Sequence, residues 1–470
     1  MKKSLLFGAM ALMAGASALA GTDGKTYETV NDITCKNLWI KSLFNDVDGW
    51  NALPWIADDN GAAQFKKART ACIGEMNGKD VVIVGYSKTW NVADGGDGND
   101  YAHLVVMNFD TGDVIKTLQL TCDGEPIKGL LCANQVGCDN FGHVWVMGLH
   151  GKLVDEDGTT LPLTLYMVDD FETGACSKAA QLYVNDSEAD DVTSGTSRVD
   201  YSSLVGDITR KEARCTFMTS TNCADSPLVL GWTCEQGSDE WEGAMDGYTS
   251  RGYDDTYPAG VVSWASASMT RIILDEEYSN ANFYVDSWVT CPTIYQPSGA
   301  MIEDFSVAPG LAPKVGTNGV GEFALGDKNF IAYSIEQYDS GDKCRIRVAE
   351  LGENMSFDGM TSYWVLPENG LGETSDGGNR IHSVETKVYT DENGKQGAYL
   401  LTYKDGNGIG VYAISEDGWK GTEGVDDITN DNNNAPVEYF NLQGVRVDNP
   451  TTGQMVIKRQ GTEVSKILVK

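Results

Sequence analysis

Histidines are few in this sequence, and none stands in a catalytic motif. The chain has 4 His, and they are His103, His143, His150 and His382. The sequence contains no H-E-x-x-H, no G-x-S-x-G elbow and no G-x-x-x-x-G-K-[ST] phosphate loop. His103 and His143 border apolar, strand-like runs, where a partly buried and hydrogen-bonded imidazole is the simpler interpretation. Nucleophilic catalysis therefore has little support from motifs.

Carboxylates are abundant, with 68 Asp and Glu in all. Almost any fold would bring some of them into the separation that glycosidases use, so a catalytic pair cannot be chosen from the sequence. Closely spaced carboxylates among glycines can, however, wrap oxygen ligands round Ca²⁺. The loop DGGDGND offers such a set, namely Asp94, Asp97, Asn99 and Asp100. It lacks the order of an EF-hand, and the alternative is an acidic hairpin loop.

A second candidate site is the acidic, aromatic insertion Glu235–Pro258. Long loops on a rigid scaffold often carry binding residues. Flat aromatic faces flanked by carboxylates suit sugar rings, which have apolar faces and polar edges. The candidate ligand-binding residues are Trp241, Tyr248, Tyr253 and Tyr257, and Trp50, Trp55 and Trp90 could supplement them. The alternative is that these aromatic side chains pack the loop against the body of the fold.

The distribution of charge excludes one class of partner. The whole chain carries −33; residues 1–20 contribute +2 and residues 435–470 contribute +2, which leaves −33 − 2 − 2 = −37 on residues 21–434. Such a body repels phosphate backbones and anionic lipid heads. We therefore expect no nucleic-acid partner.

The first twenty residues have the features of a cleaved signal peptide. Lys2 and Lys3 precede a short apolar run, and Ala18-Leu19-Ala20 is an A-x-A cleavage site. The alternative, an N-terminal membrane anchor, needs a longer apolar run. Gly, Asp or Asn interrupts every later apolar run, so no membrane span is expected. The sequence predicts a protein that is secreted or held at the outer cell surface.

Cysteines do not form a recognisable framework. There are 11, an odd number, and no C-x-x-C motif is present. If the runs around Cys215 and Cys234 form a hairpin, these two residues face each other and a disulfide is a hypothesis. Buried free thiols are the alternative, because Cys is a common small core residue.

The elements that must position any site are β-strands, and they recur along the chain. Gly85 and Gly148 stand 63 residues apart, and Thr111-Gly112 and Thr173-Gly174 stand 62 apart, each pair in matching contexts. Six units follow one another, with second strands centred near Val84, Met147, Phe217, Tyr284, Ala332 and Leu401.

This spacing suits four-stranded propeller blades, which need about 40–50 residues each. The sixth unit has only three good strands, and NLWIKSLF near the N-terminus, residues 37–44, lacks a hairpin partner. A closed ring has no open edge, so this strand is expected to complete blade six. We therefore predict an all-β fold, a six-bladed β-propeller closed by an N-terminal strand, plus a small C-terminal β module. Two or three β-sandwiches are the competing architecture.

The predicted domain organisation has four parts. Residues 1–20 form the signal peptide, 21–420 the propeller, 421–434 a polar linker and 435–470 a C-terminal β tail.

The C-terminal tail carries a recognisable pattern. It contains Tyr439-Phe440-Asn441-Leu442-Gln443-Gly444-Val445, then Thr452-Gly453 before a short strand, then Val464-Ser465-Lys466-Ile467-Leu468-Val469-Lys470 at its end. The tail resembles the C-terminal sorting domain of the type IX (Por) secretion system of Bacteroidota-type secreted proteins. The resemblance implies the secretion machinery as a partner. The body is similar in strand pattern to propeller-like secreted proteins of the same bacteria. An ordinary β-hairpin extension is the alternative for the tail.

These observations favour an exported, non-catalytic propeller that binds a glycan or a surface protein. The alternative is a secreted carbohydrate-active enzyme, such as a calcium-assisted hydrolase, lyase or lactonase that uses channel carboxylates. Convergence of two or three carboxylates and an amide at the channel mouth would favour the enzyme.

Overall fold

The computed structural model describes most of the chain between residues 27 and 468. The described residues are 27–42, 53, 67–90, 92, 95–149, 159, 161–183, 199–221, 229–243, 269–273, 282–286, 291–296, 300–314, 319–336, 342–372, 382–391, 394–416, 437–440, 447, 455–460 and 463–468. Contacts divide the chain into two compact units, Met1–Trp419 and Lys420–Lys470.

The first unit is a ring of six small antiparallel sheets, which confirms the predicted six-bladed β-propeller. Blade one comprises β2 (Thr70–Met76), β3 (Lys79–Thr89), β4 (Asp100–Asn108) and β5 (Val114–Gln119). Blade two comprises β6 (Thr121–Cys122), β7 (Glu125–Pro126), β8 (Gln135–Cys138), β9 (Val144–Met147), β10 (Leu163–Asp170) and β11 (Ala175–Leu182). Blade three comprises β12 (Val199–Gly206), β13 (Cys215–Thr221), β14 (Val229–Cys234) and β15 (Glu242–Gly243).

The remaining blades follow the same plan. Blade four comprises β16 (Met269–Ile272), β17 (Phe283–Asp286), β18 (Thr293–Tyr295) and β19 (Met301–Glu303). Blade five comprises β20 (Val320–Leu325), β21 (Lys328–Ser334), β22 (Ile346–Glu350) and β23 (Thr361–Leu366). Blade six comprises β24 (His382–Thr390), β25 (Gln396–Lys404), β26 (Gly408–Glu416) and, from the N-terminus, β1 (Ile33–Ser42). Short 3-10 turns occur at Phe305–Val307 and Glu353–Met355.

Within each blade the chain runs outward from the channel. The innermost strands are β2, β8, β12, β16, β20 and β24. The second strands are β3, β9, β13, β17, β21 and β25, and each contains one of the six residues that were predicted to lie near the centre of a second strand. In blade two, the β6–β7 hairpin adds to the outer edge, where β6 runs parallel to β11.

The ring is closed by the N-terminal strand, as predicted. β1 pairs antiparallel with β26 from Ile33 opposite Glu416 to Ser42 opposite Gly408. Trp39 of β1 is buried, and its Nε1 donates to the carbonyl oxygen of Phe109 in blade one at 2.6 Å. The closing strand therefore completes blade six by its ladder and contacts blade one through the side chain of Trp39.

A Thr-Gly turn of blade one makes room for this contact. Gly112 has a φ of 68°, and a Cβ there would lie 2.6 Å from the Trp39 ring. Both the positive φ and the close approach require glycine. The repeated Thr-Gly signal thus serves hairpin geometry and packing.

The core lies between blades, where apolar faces of adjacent sheets pack together. Between blades one and six, Trp39, Val84, Val105, Tyr403 and Val411 form part of one cluster. Because both faces of β3 are covered, residues Val81–Ser87 are all buried and read as an apolar run, apart from glycine and serine. Each fully buried aliphatic side chain of this kind contributes about 1.5–3 kcal/mol.

Polar side chains near the channel form a hydrogen bond between each blade and the next. At four junctions a neutral side-chain oxygen accepts a hydrogen bond from a backbone N–H of the next blade, and at a fifth an aspartate carboxylate does so. At the sixth junction a histidine ring nitrogen lies within hydrogen-bond distance of a serine hydroxyl. In ring order from blade one, the pairs are Thr70–Val136, Gln135–Ser202, Ser203–Ile272, Asp286–Gly319, Ser334–His382 and Ser383–Ala71. Five of these six bonds give a partner to a backbone N–H that would otherwise be buried without one.

The second unit contains a three-stranded antiparallel sheet. Its strands are β27 (Val437–Phe440), β28 (Met455–Gln460) and β29 (Glu463–Leu468), with β28 in the middle. This is the small C-terminal β module of the predicted fold class. Across the described residues of both units, no helix has the length and apolar character needed to cross a membrane.

Candidate functional site

A cavity of about 650 Å³ occupies the centre of the ring. Every innermost strand contributes to its wall, mostly through residues in the second half of the strand. The β8–β9 turn, with Asn140, Phe141 and Gly142, adds to the same end. The cavity therefore lies toward the end of the ring at which the innermost strands finish.

Charged groups from five blades line this cavity. They are Glu75 of blade one, Asp139 of blade two, Arg271 of blade four, Glu322 of blade five, and Glu385 and Lys387 of blade six. They come from different blades, so ring closure is what brings them together; Glu322, for example, is the only charged residue of its strand VGEFAL. The amides of Asn140 and Asn329 line the same wall. The convergence of carboxylates and an amide that would favour an enzyme is thus present.

Arg271 crosses the channel and is held by three acceptors. Its Nε donates to the carbonyl oxygen of Val320 at 3.0 Å, and its Nη2 donates to the carbonyl oxygen of Val384 and to Oε1 of Glu385, each at 2.8 Å. Burial acts to lower the pKa of Arg271, but the Glu385 carboxylate outweighs it and the pKa lies above its usual value. The guanidinium is charged and fixed in position.

The other charged groups of the cavity also have partners on neighbouring strands. Lys387 forms an ion pair with Asp80, which opens β3 of blade one. The Tyr284 hydroxyl donates to Oε2 of Glu322 at 3.4 Å. Burial, and then the Glu322 charge, raises the pKa of Tyr284 well above its usual value, so this hydroxyl remains a donor.

Two cysteines line the cavity but are unsuited to nucleophilic attack. Burial raises the pKa of Cys138 to about 12 and that of Cys72 well above its usual value. The thiolate is the nucleophilic form of cysteine. Among the residues that line the cavity, the carboxylates are therefore better candidates for reacting groups than these thiols.

Beside the cavity, Asp139, His143 and Asp207 form a cluster of side chains of the types that ligate metal ions. Each offers one potential ligand atom, and these atoms lie within 4.8 Å of one another. The carboxylate of Asp139 accepts from the backbone N–H groups of Phe141, His143 and Ile208 and faces His143 Nδ1 at 2.9 Å. The carboxylate of Asp207 accepts backbone N–H groups from its own turn, including Thr209 at 2.8 Å. Because N–H donors surround these oxygens, the group acts as a hydrogen-bonded junction between blades two and three.

The predicted calcium loop lies at the opposite end of blade one from the β2–β3 turn. Asp94 is outside the described residues. Hydrogen bonds from the side chain and backbone of Asn99, and then from Tyr101, lower the pKa of Asp97 to about 2. Asp100 accepts from Thr89 at 2.7 Å and pairs with Lys67. These oxygens thus face protein donors, and calcium binding by the loop stays a prediction.

The predicted aromatic site falls mostly outside the described residues, which include none of Tyr248, Tyr253 and Tyr257. Trp241 is half-buried, packs against the cluster between blades two and three, and lies under the Arg210 guanidinium at 5.7 Å. That position matches the alternative, in which the aromatic side chain packs the loop against a blade. Trp90 is 52% exposed beside Tyr101, whereas Trp50 and Trp55 are outside the described residues.

The histidines play structural parts wherever they are described. His103 is half-buried in β4, and burial lowers its pKa. Burial, followed by the Lys404 charge, lowers the pKa of His382 to about 3, and the ring contacts Ser334 and Thr402. These imidazoles are neutral at ordinary pH.

The predicted hairpin around Cys215 and Cys234 is present in blade three, but the two cysteines do not form a disulfide. Cys215 stands directly opposite Cys234 in the β13–β14 ladder, as expected. Both are buried free thiols. The other cysteines among the described residues are also free. The alternative of free thiols holds for this pair.

No protein-family model matches the chain, and no curated protein matches its sequence. Among solved structures, the GH93 α-L-arabinofuranosidase of Fusarium graminearum in complex with arabinobiose is similar at 10% identity and a TM-score of 0.44, over 77% of this chain and 96% of that one. Polysaccharide lyase Uly1 is similar at 11% identity and a TM-score of 0.39, over 86% and 95%. AofleA from Arthrobotrys oligospora is similar at 8% identity and a TM-score of 0.37, over 88% and 92%. Similarities this distant leave the function to the residues of this chain.

Proposed function

We propose that the protein is a carbohydrate-active enzyme that cleaves a glycan in the central cavity, with glutamates as the reacting groups. The observation that carries the proposal is the convergence of Glu75, Glu322 and Glu385, from three blades, on one cavity that Arg271 and Asn329 also line. Glycoside cleavage uses a pair of carboxyl groups flanking the scissile bond. A cavity of about 650 Å³ also lies within the usual range for small-molecule sites.

The contacts of Glu385 fix its position in the cavity. Arg271 donates to its Oε1 at 2.8 Å and so holds the carboxylate in place. Glu385 would then act as nucleophile or general base. Glu75 and Glu322 are the candidates for the proton donor.

The test is turnover of a panel of oligosaccharides by the full chain and by three variants, E75Q, E322Q and E385Q. Removing a general acid or base slows the reaction by about 10²–10⁴-fold. E172Q is the matched control, because Glu172 is exposed in the β10–β11 turn, away from the cavity, and pairs with Lys116. Parallel assays with Ca²⁺ and with a chelator also test the calcium prediction at Asp94–Asp100.

Aryl glycosides separate the two roles. A good leaving group departs without protonation, so the general-acid variant should keep most of its activity on such substrates while the E385Q variant loses activity on both kinds. Full activity in all three variants would contradict the proposal. Tight glycan binding without turnover by the wild type would instead favour the non-catalytic propeller.

We also propose that the protein is exported and that its C-terminal tail engages a secretion machinery. The signal-peptide pattern at residues 1–20 and the sorting-domain resemblance of residues 435–470 support this proposal. Mass spectrometry of the mature protein should find an N-terminus after Ala20. Deleting residues 435–470 should retain the protein inside the outer membrane of its host.

A further inference from the structure

The charges that surround Arg271 limit which glycans the cavity can accept. Four carboxylates line it, those of Glu75, Asp139, Glu322 and Glu385, against two cations, so the formal sum is 2 − 4 = −2. Both cations already have acidic partners, Arg271 in Glu385 and Lys387 in Asp80.

The guanidinium of Arg271 nevertheless has donors left for a ligand. Its Nε and Nη2 are the atoms held by Val320, Val384 and Glu385. Within the described part of the chain, no residue accepts a bond from Nη1, and this atom is not among the buried polar atoms that lack a partner. Since the Arg271 side chain is 23% exposed and lines the cavity, its Nη1 N–H groups are accessible from the cavity.

We propose that Arg271 Nη1 anchors an uncharged oxygen of a neutral glycan, and that the cavity discriminates against uronate-bearing glycans. The inference rests on the proposed function and adds the substrate class. A hydroxyl or ring oxygen gains a charge-assisted hydrogen bond from the fixed guanidinium. A substrate carboxylate would meet the same guanidinium, whose charge Glu385 already compensates. The other carboxylates that line the cavity would repel it.

The experiment compares matched substrates on the full chain. Neutral hexose oligosaccharides are tested beside the same materials oxidised at C6 to uronates, so that each pair differs only in a hydroxymethyl or a carboxylate group. We expect kcat/KM to be at least about tenfold higher for the neutral member. Because the exclusion is Coulombic, raising the ionic strength from about 0.05 M to about 0.5 M should narrow the difference.

A variant tests the anchor itself. R271K keeps the charge but lacks the planar fork, so KM for neutral substrates should rise about tenfold while kcat changes less. R347K is the matched control, because Arg347 also donates to a carbonyl oxygen, that of Leu311, but lies on the third strand of blade five outside the cavity lining. It should leave KM within about twofold. A thermal midpoint for each variant shows whether the ring is intact.

The outcomes separate the inference from the function on which it rests. Turnover that prefers the uronate member of each pair overturns the inference and leaves the enzyme intact. An R271K variant that is folded and has an unchanged KM does the same. Absence of turnover on every glycan tested overturns both. If R271K does not fold, the wild-type preference between matched substrates still decides the substrate class.

Discussion

In blade six, four strands of nine or ten residues pair along their lengths, whereas no strand of blade four in the described residues exceeds four residues. Blade six is held together by a long backbone ladder between β1 and β26, and buried aromatic side chains such as Trp39 pack it against blade one. Blade four reaches blade five through Asp286 and reaches blades five and six through Arg271. Ionisable side chains thus link the blades where the strands of the ring are shortest, next to the cavity.

The closing strand should show the largest single effect. Trp39→Ala removes a buried indole and its bond to Phe109, so the free energy of unfolding should fall by about 3–5 kcal/mol. Equilibrium denaturation measures the loss, and Trp90→Ala, at a 52% exposed indole, is the control that should change little. A loss below about 1 kcal/mol at Trp39 would show that the ring does not depend on this contact.

Asp286 should make blade four sensitive to pH. The residue is fully buried, its Oδ2 accepts from Gly319, and its Oδ1 has no hydrogen-bond partner among the described residues. Burial raises its pKa from the ordinary value of 3.8 to about 7. The folded state therefore binds more protons than the unfolded chain between about pH 4 and pH 7, and this group's contribution to stability is present below pH 4 and is lost as pH rises to 7.

Asp286→Asn keeps an acceptor for Gly319 and removes the charge. At pH 8 it should raise the free energy of unfolding by about 2–4 kcal/mol, and at pH 4 it should have little effect. The charge of Arg271 favours the ionised form of Asp286, and neither the substitution nor pH in this range removes that charge. Identical unfolding curves for variant and wild type at pH 8 would contradict the assignment.

Ser203 provides the neutral counterpart at the junction of blades three and four. Its hydroxyl oxygen accepts the Ile272 N–H at 3.0 Å, and Ser203→Ala should cost about 1 kcal/mol. Because no ionisable group is removed, the loss should be the same at pH 4 and pH 8. A loss of stability that grows with pH would mean that the inter-blade hydrogen bonds of Ser203 and Asp286 do not act independently.

The ion pair of Lys387 with Asp80 should contribute least. Both side chains are about one-third exposed, so solvent screens their attraction. Lys387→Met should change the free energy of unfolding by about 1 kcal/mol or less, and the change should shrink at high salt. A large, salt-independent loss would indicate that packing of the lysine stem dominates.

Much of the fold could be predicted from local patterns. Apolar runs such as that around Val84, paired with Asn-Gly and Thr-Gly turns, specify hairpins because the turn residues fix the register. Asn77 and Gly78 both have positive φ, as a two-residue hairpin turn requires. The strand at residues 37–44 was assigned to blade six from the need to remove an open edge, and β1 occupies that place.

The candidate site could not be predicted in the same way. Glu322, Glu385 and Arg271 stand in strands of three different blades, and only closure of the ring brings them to one cavity. The visible signals were loops dense in Asp, Gly and aromatic residues, which draw attention by composition. The usable signal was a single charged residue inside an otherwise apolar strand, such as Glu322 in VGEFAL.

The pairing of β1 with β26 also fixes an order of events during synthesis. Ile33 leaves the ribosome near the start of translation, but its partner Glu416 emerges only after all six blades have been made. Until β1 pairs with the completed β26, blade six lacks its outer strand, and both strands present unpaired backbone edges of the kind that associate with other chains. Contacts this distant along the chain also form slowly. The period between completion of β26 and ring closure is therefore when the nascent protein is most exposed to aggregation.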